Sequence, residues 1–382
     1  MDLDEQLQGE YLGVTAPPQK GWYYGSTGLQ VVALGDGSFA GSLLAGGLPG
    51  AGWDRKLVTA LTGSREGSVL RLTGEKLSVE LSDGRARLLD ADGQFRGELC
   101  RIVRVSPTLG AMAPPEATVI FNGKKTDELK NPKITQDGLL EVGTQFVNTW
   151  RDYTLHVEFR LPFMPKARGQ GRANSGVYLQ SRYEVQVLDS FGLKGEFNEC
   201  GALYRSRKPD LNMCLPPMQW QTYDICFRAP RFNESGEKTE NARLSVWHNG
   251  TLIHDNVSVE GKTGAGAAEG PNPLPIKLQN HSNPVHFRNI WLVKGTDCPS
   301  CPYGAPLLAD RGDSKDDDSE PSAAVPAGPA YGYAQGYGYA APRLPMRYGW
   351  YGPMPPPRPA IGPYQVWTPP ASHSAIVYPQ IP

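Results

Sequence analysis

Tyr183-Glu184-Val185-Gln186-Val187-Leu188-Asp189 alternates apolar and polar side chains with a period of two. Successive side chains of a β-strand point to opposite faces. Tyr183, Val185 and Val187 therefore belong to a core, while Glu184 and Gln186 project together from the other surface, with Ser181 a further candidate for the same row. A carboxylate beside a carboxamide on a sheet face suits a sugar, whose hydroxyls both donate and accept. Just upstream, Asn174-Ser175-Gly176-Val177-Tyr178-Leu179-Gln180 reads as a turn entering another strand, so the two segments are expected to pair with their polar residues side by side.

The same texture extends in both directions. Downstream and upstream lie Thr118-Val119-Ile120-Phe121, Leu139-Leu140-Glu141-Val142, Tyr153-Thr154-Leu155-His156-Val157-Glu158-Phe159-Arg160, Thr222-Tyr223-Asp224-Ile225-Cys226-Phe227, Arg243-Leu244-Ser245-Val246-Trp247 and His286-Phe287-Arg288-Asn289-Ile290-Trp291-Leu292. Asn122-Gly123, Asp137-Gly138 and Asn249-Gly250 separate them as turns. This pattern over residues 117–296 fits a two-sheet sandwich. Residues 1–105 carry shorter runs, such as Leu29 to Leu34, Ser68 to Leu72, Lys76 to Leu81 and Arg85 to Leu89, punctuated by Gly35-Asp36-Gly37, Asp83-Gly84 and Asp92-Gly93. They predict a small antiparallel β domain, sheet or barrel, with an accessory or scaffolding role. Residues 106–116 are Pro-rich and read as a linker.

Composition agrees with an all-β chain. Among 382 residues there are 44 Gly and 35 Pro, and amphipathic helical patterns are nearly absent. Lys plus Arg (38) almost cancels Asp plus Glu (39), so no global field favours nucleic acid or an anionic membrane. The expected partner is a neutral small molecule or another protein, and the polar row on Tyr183 to Asp189 favours a carbohydrate. No apolar run is long enough to span a bilayer, and Met1-Asp2-Leu3-Asp4-Glu5 has neither the basic nor the apolar part of a secretory signal. Residues 297–382 lose apolar periodicity: Asp316-Asp317-Asp318 leads into a Pro/Gly/Tyr-rich stretch with Tyr331-Gly332-Tyr333 and Tyr337-Gly338-Tyr339, so a disordered tail is expected, capable of weak protein contacts.

Six cysteines are too few for a disulfide scaffold. Cys200 and Cys214 bracket a loop-like segment and are candidates for a bridge outside the cytoplasm; the bland alternative is free thiols at Cys100 and Cys226 and an inert Cys298-Pro299-Ser300-Cys301.

Taken together, Phe121-Asn122-Gly123-Lys124, the run from Tyr153 to Arg160, Asn174 to Leu179, Tyr183 to Asp189, Gly201-Ala202-Leu203-Tyr204, Trp220 to Asp224, Leu278-Gln279-Asn280-His281 and Phe287 to Ile290 resemble the 3-keto-disaccharide hydrolase domain family. The resemblance implies a concanavalin-like, laminarinase-like jelly-roll β-sandwich and a substrate oxidised at C3 of a glucosyl unit. It implies export as well, hence an extracytoplasmic expectation. One departure is plain: the family's Gln-Asp-His-Gly is Gln279-Asn280-His281-Ser282 here, which removes a carboxylate and a glycine.

A C3 ketone acidifies the C2 proton, so a base can remove it and expel the C1 aglycone by β-elimination, after which water adds back. No oxocarbenium ion is needed, unlike the paired-carboxylate glycosidases. Base, acid and an enolate stabiliser are required. Glu184 and His281 are the candidates for base and acid, in either order, and Arg288 for the electrophile. A divalent cation held by Glu184, Asp189 or His281 is the alternative electrophile; no organic cofactor is expected. Asn174, Gln186, Asp189, Tyr204, Gln279 and Glu158 are candidate substrate-binding residues, Glu158 with Arg160 being equally readable as a structural ion pair. Two functions compete: cleavage of 3-keto-glucosides, and non-catalytic, lectin-like carbohydrate binding on the same fold.

Overall fold

The period-two runs of the first module become strands, and at 69–73, 77–82 and 85–90 their buried residues fall at alternate positions. The computed structural model describes residues 2–16 and 25–295, together with the backbone of residues 364–366. A short helix, Leu3–Leu7, leads into β1 (Gly9–Thr15), β2 (Gly25–Gly35), β3 (Ser38–Ala45), β4 (Val58–Glu66), β5 (Val69–Thr73), β6 (Leu77–Ser82), β7 (Arg85–Asp90) and β8 (Phe95–Arg104). Each strand pairs antiparallel with the next and β8 returns to β1, so the open choice between sheet and barrel resolves as a barrel. Closure leaves no edge between β1 and β8 to be protected. Leu70, Leu72, Leu77, Val79, Leu81, Ala86 and Leu88 fill its interior. The hairpin signals act as expected: Asp36 and Gly37 (φ 54° and 72°) and Asp83 and Gly84 (φ 49° and 73°) supply paired left-handed residues.

The second module is a sandwich of two antiparallel sheets. The five-stranded sheet runs Leu129–Lys130, Thr144–Phe146, Lys277–Leu278, Ser175–Leu179, Tyr183–Val187. The seven-stranded sheet contains Leu140–Glu141, His286–Lys294, Asp152–Arg160, Trp220–Arg228, Ala242–His248 and Thr251–Val259, with Thr118–Phe121 paired to His286–Lys294. Val177, Leu179, Tyr183, Val185 and Val187 pack inward against Tyr153, Leu155, Val157, Phe159, Tyr223, Ile225 and Phe227. The fold class is thus the expected all-β sandwich after a small β domain. The Ser175–Leu179 and Tyr183–Val187 strands pair as expected, through a tight turn at Gln180 and Ser181 (φ 48° and 53°). Ser181 therefore leaves the polar row, and its hydroxyl donates to the Pro275 carbonyl at 2.7 Å.

The Pro-rich connection is docked against the outer face of the seven-stranded sheet. Thr108 Oγ1 donates to Asp224 Oδ2 (2.7 Å), Gly110 N to Glu158 Oε1 (2.5 Å), and the Ala111 carbonyl accepts from Asn289 Nδ2 (2.9 Å) and Trp291 Nε1 (3.2 Å). Barrel and sandwich also touch: Val32 joins the sandwich core, and Arg168 Nη2 donates to the Leu34 carbonyl at 2.7 Å.

The expected Cys200–Cys214 bridge is absent. Both are free, buried thiols, Cys200 Sγ lying 3.1 Å from the Tyr223 hydroxyl and Cys214 Sγ 3.6 Å from the Leu188 carbonyl. Cys226 is disulfide-bonded, whereas Cys100 is free. Cys298, Cys301 and the tyrosine-rich tail lie outside the described residues. No helix among the described residues is long and apolar enough to cross a membrane.

Candidate active site

Strand pairing builds the site rung by rung on the outer face of the five-stranded sheet. Tyr178 is opposite both Glu184 and Lys277, and Gly176 is opposite Gln186 and accepts the Gln279 N–H at its carbonyl (2.9 Å). Residues two apart on a strand share a face. Lys277 and Gln279, Gly176 and Tyr178, and Glu184 and Gln186 therefore form one polar surface, while the intervening Val177, Val185 and Leu278 belong to the core.

Glu184 is at the centre, only 2 % exposed. The Tyr178 hydroxyl donates to its Oε2 at 2.6 Å, and its backbone N–H donates to Thr263 Oγ1 at 2.6 Å. Burial pushes its carboxyl up to about 7, against the hydrogen bond from Tyr178 and the charge of Lys277, which pull it down. A carboxyl poised there is suited to proton transfer near neutrality. Gly176 makes room for it: a Cβ on Gly176 would lie 2.4 Å from Glu184 Oε1. On the other side Gly264, at φ +43°, brings the loop following Val259 against the Tyr204 ring and Glu184 Oε2.

Around this carboxyl lie most of the expected binding groups. One end of the Gln186 carboxamide is 3.0 Å from Gln170 Oε1 and the other 3.1 Å from Glu184 Oε1. Asn174 Nδ2 donates to the Gln170 carbonyl at 2.8 Å, and Asn174 N donates to Asn283 Oδ1 at 2.8 Å. Gln279 Nε2 reaches the Tyr178 hydroxyl at 3.5 Å, and its buried Oε1 has no partner among the described residues. Tyr204 is half-buried, and its N–H donates to the Glu184 carbonyl at 3.1 Å. His281 is exposed on the loop that continues from Gln279. That loop shows what the altered motif does locally. Ser282 adopts φ 63°, a region favouring the family's glycine, and Asn280 Oδ1 steadies it by accepting its N–H at 2.9 Å.

Three expectations fail on geometry. Arg288 and Glu158 stand opposite one another in register, but on the outer face of the other sheet, beneath the docked connection. Phe159 and Phe287 point into the core, so their neighbours must point away from it. Arg288 Nε donates to Glu158 Oε2 at 2.6 Å while its guanidinium lies 4.0 Å over the Trp220 ring, so the partner of Glu158 is Arg288 rather than Arg160. Burial opposes ionisation of Glu158, but His156 Nε2, 3.6 Å away, and hydrogen bonds from Asn289, Arg288 and the Gly110 N–H bring it down to about 2. His156 is likewise opposed by burial yet raised to about 9 by Asp224, 2.6 Å from its Nδ1, and by Glu158. This is a structural cluster. Asp189, in turn, is buried in an ion pair with Arg172 Nε (2.6 Å), which commits its carboxylate; burial pushes its pKa up and Arg172 draws it down. Glu184, Asp189 and His281 do not assemble as metal ligands, and no group of acidic, His and Cys residues able to hold a metal occurs among the described residues.

Tyr178, Lys277, Thr263 and Gly264 escaped sequence reasoning. Tyr178 carried a usable signal, being two residues after Gly176 on a strand already read. Lys277 belongs to a two-residue strand in a Pro-rich stretch, too short for periodicity to register.

Residues 116–293 match the family described as the 3-keto-alpha-glucoside-1,2-lyase-like domain, which supports a glycoside-acting function for the second module. Similar solved structures come from Parabacteroides distasonis ATCC 8503, each provisionally designated a glycosyl hydrolase. One is 29% identical, covering 48% of this chain and 85% of that one, with a TM-score of 0.45. Two others are each 18% identical over 47% of this chain, covering 94% and 99% of theirs, with TM-scores of 0.35 and 0.33. No curated protein matches the chain.

Proposed function

We propose that the second module cleaves 3-keto-glucosides by elimination and hydration, with Glu184 as the base. Glu184 takes the C2 proton, and the electron pair moves into the C2–C3 bond as the C3 oxygen becomes an enolate. Collapse of the enolate forms the C1–C2 double bond and breaks the bond from C1 to the aglycone oxygen, which leaves with a proton. Water then adds to C1 and C2 regains a proton, releasing a 3-keto sugar. The ammonium of Lys277, 5.6 Å from the Tyr178 ring centroid, replaces Arg288 as the cation on this face available to a developing enolate. His281, at the exposed end of the same sheet, is the imidazole available to the leaving oxygen. Gln186, Gln279 and Asn174 offer amides to the sugar hydroxyls.

The observation that carries this reading is the Glu184 carboxyl, raised to about 7 and held over a glycine by Tyr178. Incubation with a 3-keto-glucoside and with its unoxidised parent tests it. Aglycone release from the first only, lost in Glu184→Gln, is expected; equal release from both, or none from either, would refute it. The orphaned Gln279 Oε1 and the surrounding amides favour binding-only recognition as the second reading. Calorimetric binding of unmodified glycans without product is its signature.

A further inference from the structure

We propose that the cavity between barrel and sandwich binds a small, neutral, largely apolar ring carrying one hydroxyl or carbonyl oxygen. On the reading of Glu184 as the base, on which this second step rests, it receives the leaving group of the reaction. The cavity measures about 170 Å³. That is close to the ~150 Å³ apolar hollow known to accept benzene. Its walls come from both modules: Val32 and Leu34 of β2 on one side, Leu188 and Phe191 of the sandwich on the other, with Arg172 and Asp189 among them.

Polarity narrows the ligand. Arg172 is 6 % exposed, its Nε is committed to Asp189, its Nη1 makes a long contact of 3.5 Å to the Ala33 carbonyl, and its Nη2 has no partner among the described residues. A buried donor left unpaired is unfavourable, so an acceptor oxygen delivered there is rewarded. Asp189 already neutralises the guanidinium, so a second anion gains little. Ser42, Arg168, Gln170, Asn198 and Glu199 also line the cavity, but none of them is buried, so its buried part offers one orphan donor beside apolar walls and suits a phenol-like ring better than a sugar with many hydroxyls.

Position links the cavity to the carboxyl. Gln170 lines it, and Gln170 Oε1 lies 3.0 Å from the Gln186 carboxamide, whose other end is 3.1 Å from Glu184 Oε1. Two amide contacts therefore separate the cavity wall from the base. The barrel, with no catalytic cluster among its described residues, acquires a role as one wall of the ligand site.

Phenol is the probe, titrated into the full chain and followed by ligand-observed NMR. Saturable binding is expected, weakened at least tenfold by Ala40→Phe, which fills the cavity from the barrel side. Leu193→Trp, at an exposed lining position, is expected to do the same. Glu184→Gln should leave phenol binding within twofold of the parent protein. Absence of saturable binding, or equal binding by the parent and both filled variants, overturns the site. Phenyl 3-keto-glucoside then separates the two readings. A raised KM in the filled variants supports the leaving-group role, and unchanged KM and kcat in both overturns it. Phenol binding that the filled variants lose, in a protein that turns over no keto-glucoside, supports the site while removing the assignment of Glu184.

Discussion

The Tyr178 hydroxyl and Glu184 Oε2 face each other across paired strands at 2.6 Å. That bond favours the carboxylate, opposing the burial that raises Glu184 to about 7. Tyr178→Phe is expected to move the acidic limb of the kcat/KM profile upward from about 7 by roughly one unit, lowering activity at pH 6 about tenfold. An unshifted limb would mean that Glu184 does not govern it.

Gly176 leaves the space that the carboxylate fills. In Gly176→Ala the new Cβ, 2.4 Å from Oε1, forces Glu184 to move. A displacement of that size costs on the order of 10²-fold in turnover when geometry limits the chemistry. Steady-state kinetics alongside thermal melting check it: kcat should fall far more than stability.

A carboxyl whose pKa is raised on folding binds its proton more tightly in the native state, so stability falls as pH rises. For Glu184 the fall begins near 4.5, its ordinary value, and is complete above about 7. Glu184→Gln removes this slope, gaining on the order of 3 kcal/mol relative to the parent protein at pH 8 compared with pH 4. Urea unfolding at the two pH values measures the difference, and identical slopes in both proteins would contradict it.

The buried cluster under residues 106–111 has the opposite dependence at its acidic end. Glu158, lowered to about 2, contributes stability that is present above about 4.5 and lost as pH falls through about 2. His156, raised to about 9, contributes stability that is present below about 6.5 and lost as pH rises through about 9. Glu158→Gln leaves Arg288 and His156 without their shared anion and is expected to cost about 3 kcal/mol, most between pH 4.5 and 6.5. Turnover per folded molecule should be unchanged, because these groups face away from Glu184. Denaturation midpoints and kcat, measured on the same sample, distinguish this from a catalytic role.

How far the sequence could be read depended on parity and on partnership. Parity was visible: Tyr183, Val185 and Val187 against Glu184 and Gln186 gave one strand and its two faces. Asp36-Gly37 and Asp83-Gly84 gave hairpins because only left-handed residues close such turns. Partnership was hidden. Parity alone says that Glu158 and Arg288 point away from the core beside Phe159 and Phe287, but not that their strands belong to the other sheet. The short Lys277–Leu278 strand pairs with Ser175–Leu179 over too few residues to show a period. Cysteine spacing was silent on geometry: Cys200 and Cys214, candidates for a bridge, are free, and of Cys100 and Cys226, the free thiols of the alternative reading, Cys100 is free and Cys226 is bonded.

The most direct measurement is exchange of the C2 proton of a 3-keto-glucoside with solvent deuterium, followed by NMR in the parent protein and in Glu184→Gln. Enzyme-dependent exchange that disappears with the carboxylate is the predicted result. Exchange at the parental rate in Glu184→Gln would show that another group removes that proton.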